Sequence, residues 1–313
     1  METLLTADPQ EAAAIIRRGG IVAFPTETVY GLGANVFDER AVAKIFDAKQ
    51  RPADNPLIAH VGELSLIQDL SSEITDSARK LIEAFFPGPL TVVVKKSDRV
   101  PMIATAGLET IGIRMPRHML ATAFLAECRT PVVAPSANVS GRPSPTTWEA
   151  VLEDLDGRID CILQGEATEI GLESTVVDCT GEVPVVLRSG AIGVEEIRQI
   201  LPDVAVFGGE VTDAAASPGM RHKHYSPRAK VVIVDYAGER RGQENAAFIG
   251  LEDRGVEFVR SVICHSVDEY AHRLFAFFRE CDRDGIDVIF CQRVDEKGIG
   301  RALMDRLQRA ADA

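Results

Sequence analysis

Tryptophan occurs once in this chain of 313 residues and cysteine six times, and neither is patterned for chemistry. The cysteines (Cys128, Cys161, Cys179, Cys264, Cys281 and Cys291) form no C-x-x-C pair, which argues against the common zinc frameworks. Each sits in or beside an apolar segment, as small buried residues do in a reducing compartment, so no disulfide scaffold and no metal site are expected. No apolar run reaches the roughly 20 residues of a membrane span. The opening METLLTADPQ has no cationic stretch leading into an apolar core, so it does not read as a secretory leader. A cytoplasmic protein with no membrane contact is the expectation. Three catalytic signatures are also missing: the P-loop G-x-x-x-x-G-K-[ST], the zinc helix H-E-x-x-H and the nucleophile elbow G-x-S-x-G.

What is present is an ordinary globular balance, 46% hydrophobic against 26% charged, which supports sizeable cores. The length is comfortable for two domains. A net charge of −13 argues against a surface given over to nucleic acid, though not against a local basic pocket. Ser217–Lys230 carries four Lys or Arg and no acid, which suggests a local anion partner or simply a solvated loop.

Short β-branched runs bounded by Gly or Pro read as buried strands: Ile21–Phe24, Leu90–Val94, Pro131–Ala134 and Thr175–Asp178. Asp38 reads as the N-cap of a helix whose Val42, Ile45 and Phe46 share a face and which Pro52 stops. Strands and helices are mixed rather than strictly paired, so residues 1–207 are expected to form an α+β domain with a twisted sheet. Residues 208–227 read as a linker, rich in Gly, Ala, Ser and Pro. Residues 228–313 read as a small Rossmann-like α/β domain, with strands at Val231–Val234, Ala246–Ile249 and Ile286–Cys291. There Ser266-Val-Asp-Glu269 forms a capping box that opens a long helix, and Arg301 begins the last one.

The segment Phe24-Pro-Thr-Glu-Thr-Val-Tyr-Gly-Leu-Gly33 runs from a strand into polar residues and a glycine pair, a common place for ligand contacts. Gly31-x-Gly33 lacks the third glycine of a dinucleotide fingerprint and reads as a tight turn. Lys49 and Arg51 stand two apart before the proline-stiffened Asn55-Pro56-Leu-Ile-Ala-His60; such a pair suits a polyphosphate, and equally suits the dipole of a helix C-terminus. Ser136, Asn138, Ser144 and their neighbours follow a strand directly, in a turn able to bind phosphate or ribose. Ile113-Arg114-Met-Pro-Arg117 and Leu187-Arg188 end apolar strands in arginine. Three polar or cationic strand exits in one domain favour a shared anion-binding cleft. Nothing marks Ser174 or a cysteine as an activated nucleophile, so binding and charge stabilisation are expected rather than a covalent intermediate.

Taken together, PTETVYGLG, the K-x-R pair with NPL, PGPLT, IGIRMP, the S-x-N of Ser136 and Asn138, GLESTVVD and LRSGA resemble the YrdC-like family. SPGMRHKHYSP and GIGRALMDRL resemble its two-domain form. The resemblance spans nearly the whole chain, in order. It implies a YrdC-like twisted-sheet catalytic domain that joins L-threonine, bicarbonate and ATP into threonylcarbamoyl-AMP and pyrophosphate. Mg²⁺ is the implied helper, and the product goes to separate tRNA threonylcarbamoyl-transfer proteins. It further implies that Lys49 and Arg51 are catalytic and that Arg51, Asn55, Ser136, Asn138, Ser144, Arg188 and Tyr225 bind the nucleotide. Thr28, His60, Ser174 and either Arg114 or Arg117 would hold threonine, the arginine being decided by strand register. Tyr225 and the basic linker resemble a segment that folds over the cleft as a lid. Direct contact with tRNA stays open, as does the task of the last domain. A rival reading, a double-stranded-RNA or tRNA-binding module without chemistry, would show salt-dependent RNA binding and no pyrophosphate release.

Overall fold

The computed structural model describes residues 2–52, 54–208, 225–236, 245–252 and 255–312. A twelve-stranded mixed sheet carries the first domain. Across it run Leu4–Thr6, Cys161–Leu163, Val22–Phe24, Gly31–Asn35, Val132–Ala134, Ile58–His60, Thr110–Arg114, Leu90–Lys96, Thr175–Asp178, Val185–Arg188 and Ala205–Val206. Ser71–Glu73 pairs off this path with the end of Leu90–Lys96. Parallel and antiparallel pairs alternate irregularly, so the domain is α+β with its strands covered on both faces. Successive side chains of Val132–Ala134 show why: Val132 and Ala134 join one apolar cluster with Phe124 and Ile16, while Val133 joins the other with Ile45 and Ala59.

Local chemistry sets the elements that reach the cleft. Asp38 Oδ1 accepts from the backbone N–H groups of Arg40 and Ala41 and starts the helix Glu39–Lys49. Val42, Ile45 and Phe46 face the core, and the helix ends on Gln50, left-handed at φ 52°, two residues before Pro52. Gly31 and Gly33, expected in a tight turn, lie instead within a strand antiparallel to Val22–Phe24. A Cβ on Gly33 would sit 2.6 Å from Val132 Cγ1 on the next strand and 3.0 Å from the Phe24 ring, so the glycines make room for both.

Lys230–Val234, Val288–Gln292, Ala246–Gly250 and Arg260–Ile263 form a second, all-parallel sheet in that order. The helices Val267–Asp284 and Ile299–Ala311 cover one face, with Phe275, Phe278, Leu303 and Leu307 against Ile249 and Ile289. The opposite face is closed by Val256 and Phe258 over Phe248 and Phe290. The expected linker at 208–227 falls, between 209 and 224, outside the described residues; Tyr225 lies within them.

The domains share a core. Val29 and Leu172 of the first domain belong to the apolar cluster of the second. Gly171, at φ +82°, brings the first domain onto the helix Val267–Asp284 so closely that a Cβ there would meet the His272 backbone at 2.5 Å. No helix among the described residues is long and apolar enough to cross a membrane.

Candidate functional site

A cleft of about 650 Å³, mouth included, opens where several strands of the first sheet end. Thr28, Arg51, His60, Arg114, Ser136 and Asn138 line it, and Ser144, Ser174, Arg188 and Tyr225 complete the expected residues that the fold brings together there. Four of the lining side chains are arginines, Arg51, Arg114, Arg142 and Arg188, against the single carboxylate of Glu173. In a chain of net charge −13 the wall of the cleft thus presents mostly cationic side chains, with Glu27 and Asp154 paired to Arg114 and Arg142 behind it.

Arg114 ends the strand Thr110–Arg114, in register with His60 on the parallel neighbour. Its Nη1 donates to Thr28 Oγ1 at 2.8 Å, and its Nη2 lies 2.8 Å from Glu27 Oε2, an ion pair out of hydrogen-bond alignment. Arg117 stands outside the cleft, mostly exposed, 3.3 Å from Glu169. Burial, aided by the positive charge of Arg114, pushes the His60 imidazole down to about 3, so His60 is neutral at physiological pH. Its Nδ1 lies 3.1 Å from the Ile58 carbonyl and its ring meets Phe24 edge-on. Ser174 Oγ lies 2.8 Å from Thr91 Oγ1, and Arg188 donates to the Ser174 carbonyl at 2.9 Å and to its hydroxyl at 3.1 Å. Burial pulls the Arg188 guanidinium below its ordinary range.

Arg51 donates through Nη2 to the carbonyl of Asn55 at 3.3 Å, and its Nε has no hydrogen-bond partner among the described residues. Burial brings it down to about 10, against the opposing pull of the Tyr225 phenol and Asp54, and it stays charged at neutral pH. Lys49 is set one layer back. Its ammonium donates to the carbonyls of Ser136 and Asn138, each at 2.5 Å, and so clamps the polar turn from behind. Burial, and then Arg51 nearby, lower its pKa well below the ordinary lysine range. Asn55 also lies off the cleft wall, buried, with neither side-chain polar atom partnered among the described residues. The turn itself is tied by Ser136 Oγ donating to Asn138 Oδ1 at 2.5 Å and by Asn138 Nδ2 donating to the Arg142 carbonyl at 2.9 Å.

Two charged lining residues were given no role from the sequence, Arg142 and Glu173. Both stand inside segments that the sequence marks, SGRPS and GLEST, where the neighbouring serines and asparagine drew the assignment. Tyr225, left-handed at φ 71°, lines the cleft with its ring stacked 5.5 Å from Phe275.

This geometry has close relatives. The Sua5_yciO_yrdC family profile, described as "Telomere recombination", matches residues 14–190, and a profile described as "Threonylcarbamoyl-AMP synthase, C-terminal domain" matches residues 192–312. The chain belongs to the Sua5/YciO/YrdC family, in its two-domain form. Within the family, a Pyrococcus abyssi threonylcarbamoyl-AMP synthase is 45% identical over 96% of this chain and 93% of its own. A Bacillus subtilis threonylcarbamoyl-AMP synthase is 41% identical over 99% and 95%. The crystal structure of P. abyssi Sua5 complexed with L-threonine superposes with a TM-score of 0.94 at 41% identity, covering 100% of this chain and 98% of that one. The family membership thus extends over both domains, the cleft and the shared core included.

Proposed function

We propose that this chain condenses L-threonine, bicarbonate and ATP into threonylcarbamoyl-AMP, pyrophosphate and water. The observation that carries the reading is the convergence of four arginines on one cleft at the strand ends, beside a turn of serine and asparagine. The names of the full-length relatives and the threonine complex of one of them support the same substrates.

Threonine's amine takes up bicarbonate to form a carbamate with loss of water. A carbamate oxygen then attacks the α-phosphorus of ATP, and the bond to the bridging oxygen of pyrophosphate breaks, which makes the enzyme a nucleotidyltransferase. Arg114 pairs with the threonine carboxylate, with Thr28, Ser174 and neutral His60 around the rest of the amino acid. Arg51 and Arg188 face the phosphates, where negative charge builds on the leaving group; fixed cations in a water-poor cleft stabilise it without reorganising. Ser136, Asn138 and Ser144 hold the nucleoside side, and Lys49 keeps their turn in place. Tyr225 closes the wall against water, which would hydrolyse the mixed anhydride.

Among the described residues no group of three His, Cys, Asp or Glu is placed to hold a metal. Glu173 and Glu27 are already engaged by arginines. Mg²⁺ would come with the ATP phosphates and help neutralise their charge. The product passes to separate proteins that modify tRNA.

The test is pyrophosphate release on incubation with ATP, threonine and bicarbonate, and its loss when any one is omitted. Release independent of threonine would overturn the reading.

A further inference from the structure

Two arginines of the C-terminal domain are buried in the first domain, directly behind the cleft. Arg306, on Ile299–Ala311, has no solvent exposure. Its Nε donates to Glu173 Oε2 at 2.9 Å and its Nη2 to the Ser189 carbonyl at 3.1 Å. The other Glu173 oxygen accepts from the Ser144 hydroxyl at 2.6 Å. Arg279, on Val267–Asp284, is 2% exposed and grips Asp154 with both Nη atoms, at 3.1 and 2.8 Å. It also donates to the Pro143 carbonyl at 2.6 Å. Asp154, its side chain fully buried, in turn pairs with Arg142. Each chain of contacts runs from a C-terminal arginine, through one buried carboxylate, to a residue on the cleft wall, and Arg306 also lies 5.1 Å over the ring of Tyr225 on that wall.

We propose that Arg306 and Arg279 are positioning residues for the nucleotide wall of the cleft, each acting through one carboxylate on the turn Arg142–Ser144. The chemistry is specific. Because the Ser144 proton is given to Glu173, Ser144 Oγ offers only lone pairs to the cleft and is set as an acceptor for a hydroxyl or amine of the nucleotide. Burial alone would raise the Glu173 carboxyl, but Arg306 and Arg188 beside it, with the Ser144 hydroxyl, hold it below the usual carboxylate range and keep it an acceptor. Arg279 likewise holds Asp154 in place, sharing its Oδ1 with Arg142, and fixes the backbone between Arg142 and Ser144. The C-terminal domain thus shapes the cleft without touching substrate. This inference rests on the synthase reading only in taking ATP as the occupant.

The experiment uses the full chain and reads ATP and threonine affinities separately by titration calorimetry. R306M and R279M are each expected to weaken ATP binding by about tenfold, the scale of one charge-assisted hydrogen bond, and to leave threonine within about twofold of wild type. R306K keeps the charge but cannot span Glu173 and Ser189 together, and should recover ATP binding to within about threefold of wild type. In an S144A background, R306M should cost less than it does in the wild type, because both act on the Glu173–Ser144 contact. Unchanged ATP affinity, equal losses for both ligands, or losses that multiply in the double variant would each overturn the proposal. If circular dichroism shows R306M unfolded, E173Q/R306M removes both charges, costs the fold far less, and should show the same selective loss of ATP. Pyrophosphate release by the wild type is read independently. A selective ATP loss in a chain that releases none would overturn the reaction and uphold the positioning role.

Discussion

Lys49 and Arg51 leave the same helix end and arrive at different tasks. Arg51 reaches the cleft with an Nε that no described residue partners, whereas Lys49 spends its donors on the Ser136 and Asn138 carbonyls. K49M should therefore lose stability and activity together, by about 2 kcal/mol for the stranded carbonyls, as a denaturant melt would show. R51A should cut pyrophosphate release at least about tenfold while changing stability by less than about 1 kcal/mol, since it also relieves a buried charge. Equal effects of the two variants on stability would contradict this division. His60 carries a pH prediction. Unfolded, it binds a proton near 6.5; folded, not until about 3. Between those values the unfolded state holds the extra proton, so stability is full above 6.5 and falls as the pH drops. Replacing His60 with Gln should flatten that fall by up to about 1.4 kcal/mol per pH unit, read as the difference between two urea titrations. Parallel curves would show that His60 is not the group involved.

At the scale of elements, the N-cap of Val267–Asp284 is a local device on which an interdomain contact depends. Ser266 Oγ accepts from the Glu269 N–H at 3.1 Å, but the Glu269 carboxylate accepts from His265 N at 2.8 Å rather than from Ser266, one residue earlier than in the expected box. S266A should cost about 1 kcal/mol in a denaturant melt, and no change would mean that Arg279 and the apolar face alone hold this helix. Such elements were legible because their signals are local. Thr175–Asp178 was expected and found with the same ends, and Asp38 caps the helix that its sequence announces. Gly31-x-Gly33 misled because glycine answers two needs with one letter, a turn or room for a neighbour, and the neighbours here are Val132, Ala134 and the Phe24 ring. The cleft was legible in its motifs but not in its supports. Glu173 and Arg306 are 133 positions apart, and nothing in either segment announces the other. Register decided between the two candidate arginines: Arg114 closes a strand beside His60, and Arg117 lies past its end.

For the whole molecule, the shared core and the two buried arginines bear on how the domains fold. Interfaces between domains of one chain are commonly modest and polar, and permit relative motion. Here Val29 and Leu172 sit inside the C-terminal apolar cluster, and Glu173 and Asp154 are each matched by an arginine from across the boundary. Removing the second domain would expose two apolar side chains, each contributing about 1.5–3 kcal/mol on burial, and would leave two carboxylates short of their partners. The loss is comparable with the stability of a whole domain, typically about 5–15 kcal/mol. The two sheets should therefore melt as one. Scanning calorimetry of the full chain is expected to show a single transition whose van 't Hoff and calorimetric enthalpies agree. A chain ending at Phe207 should melt well below it and bind ATP more weakly. Two resolved transitions, with the shortened chain reproducing one of them, would show instead that each domain holds its own shape.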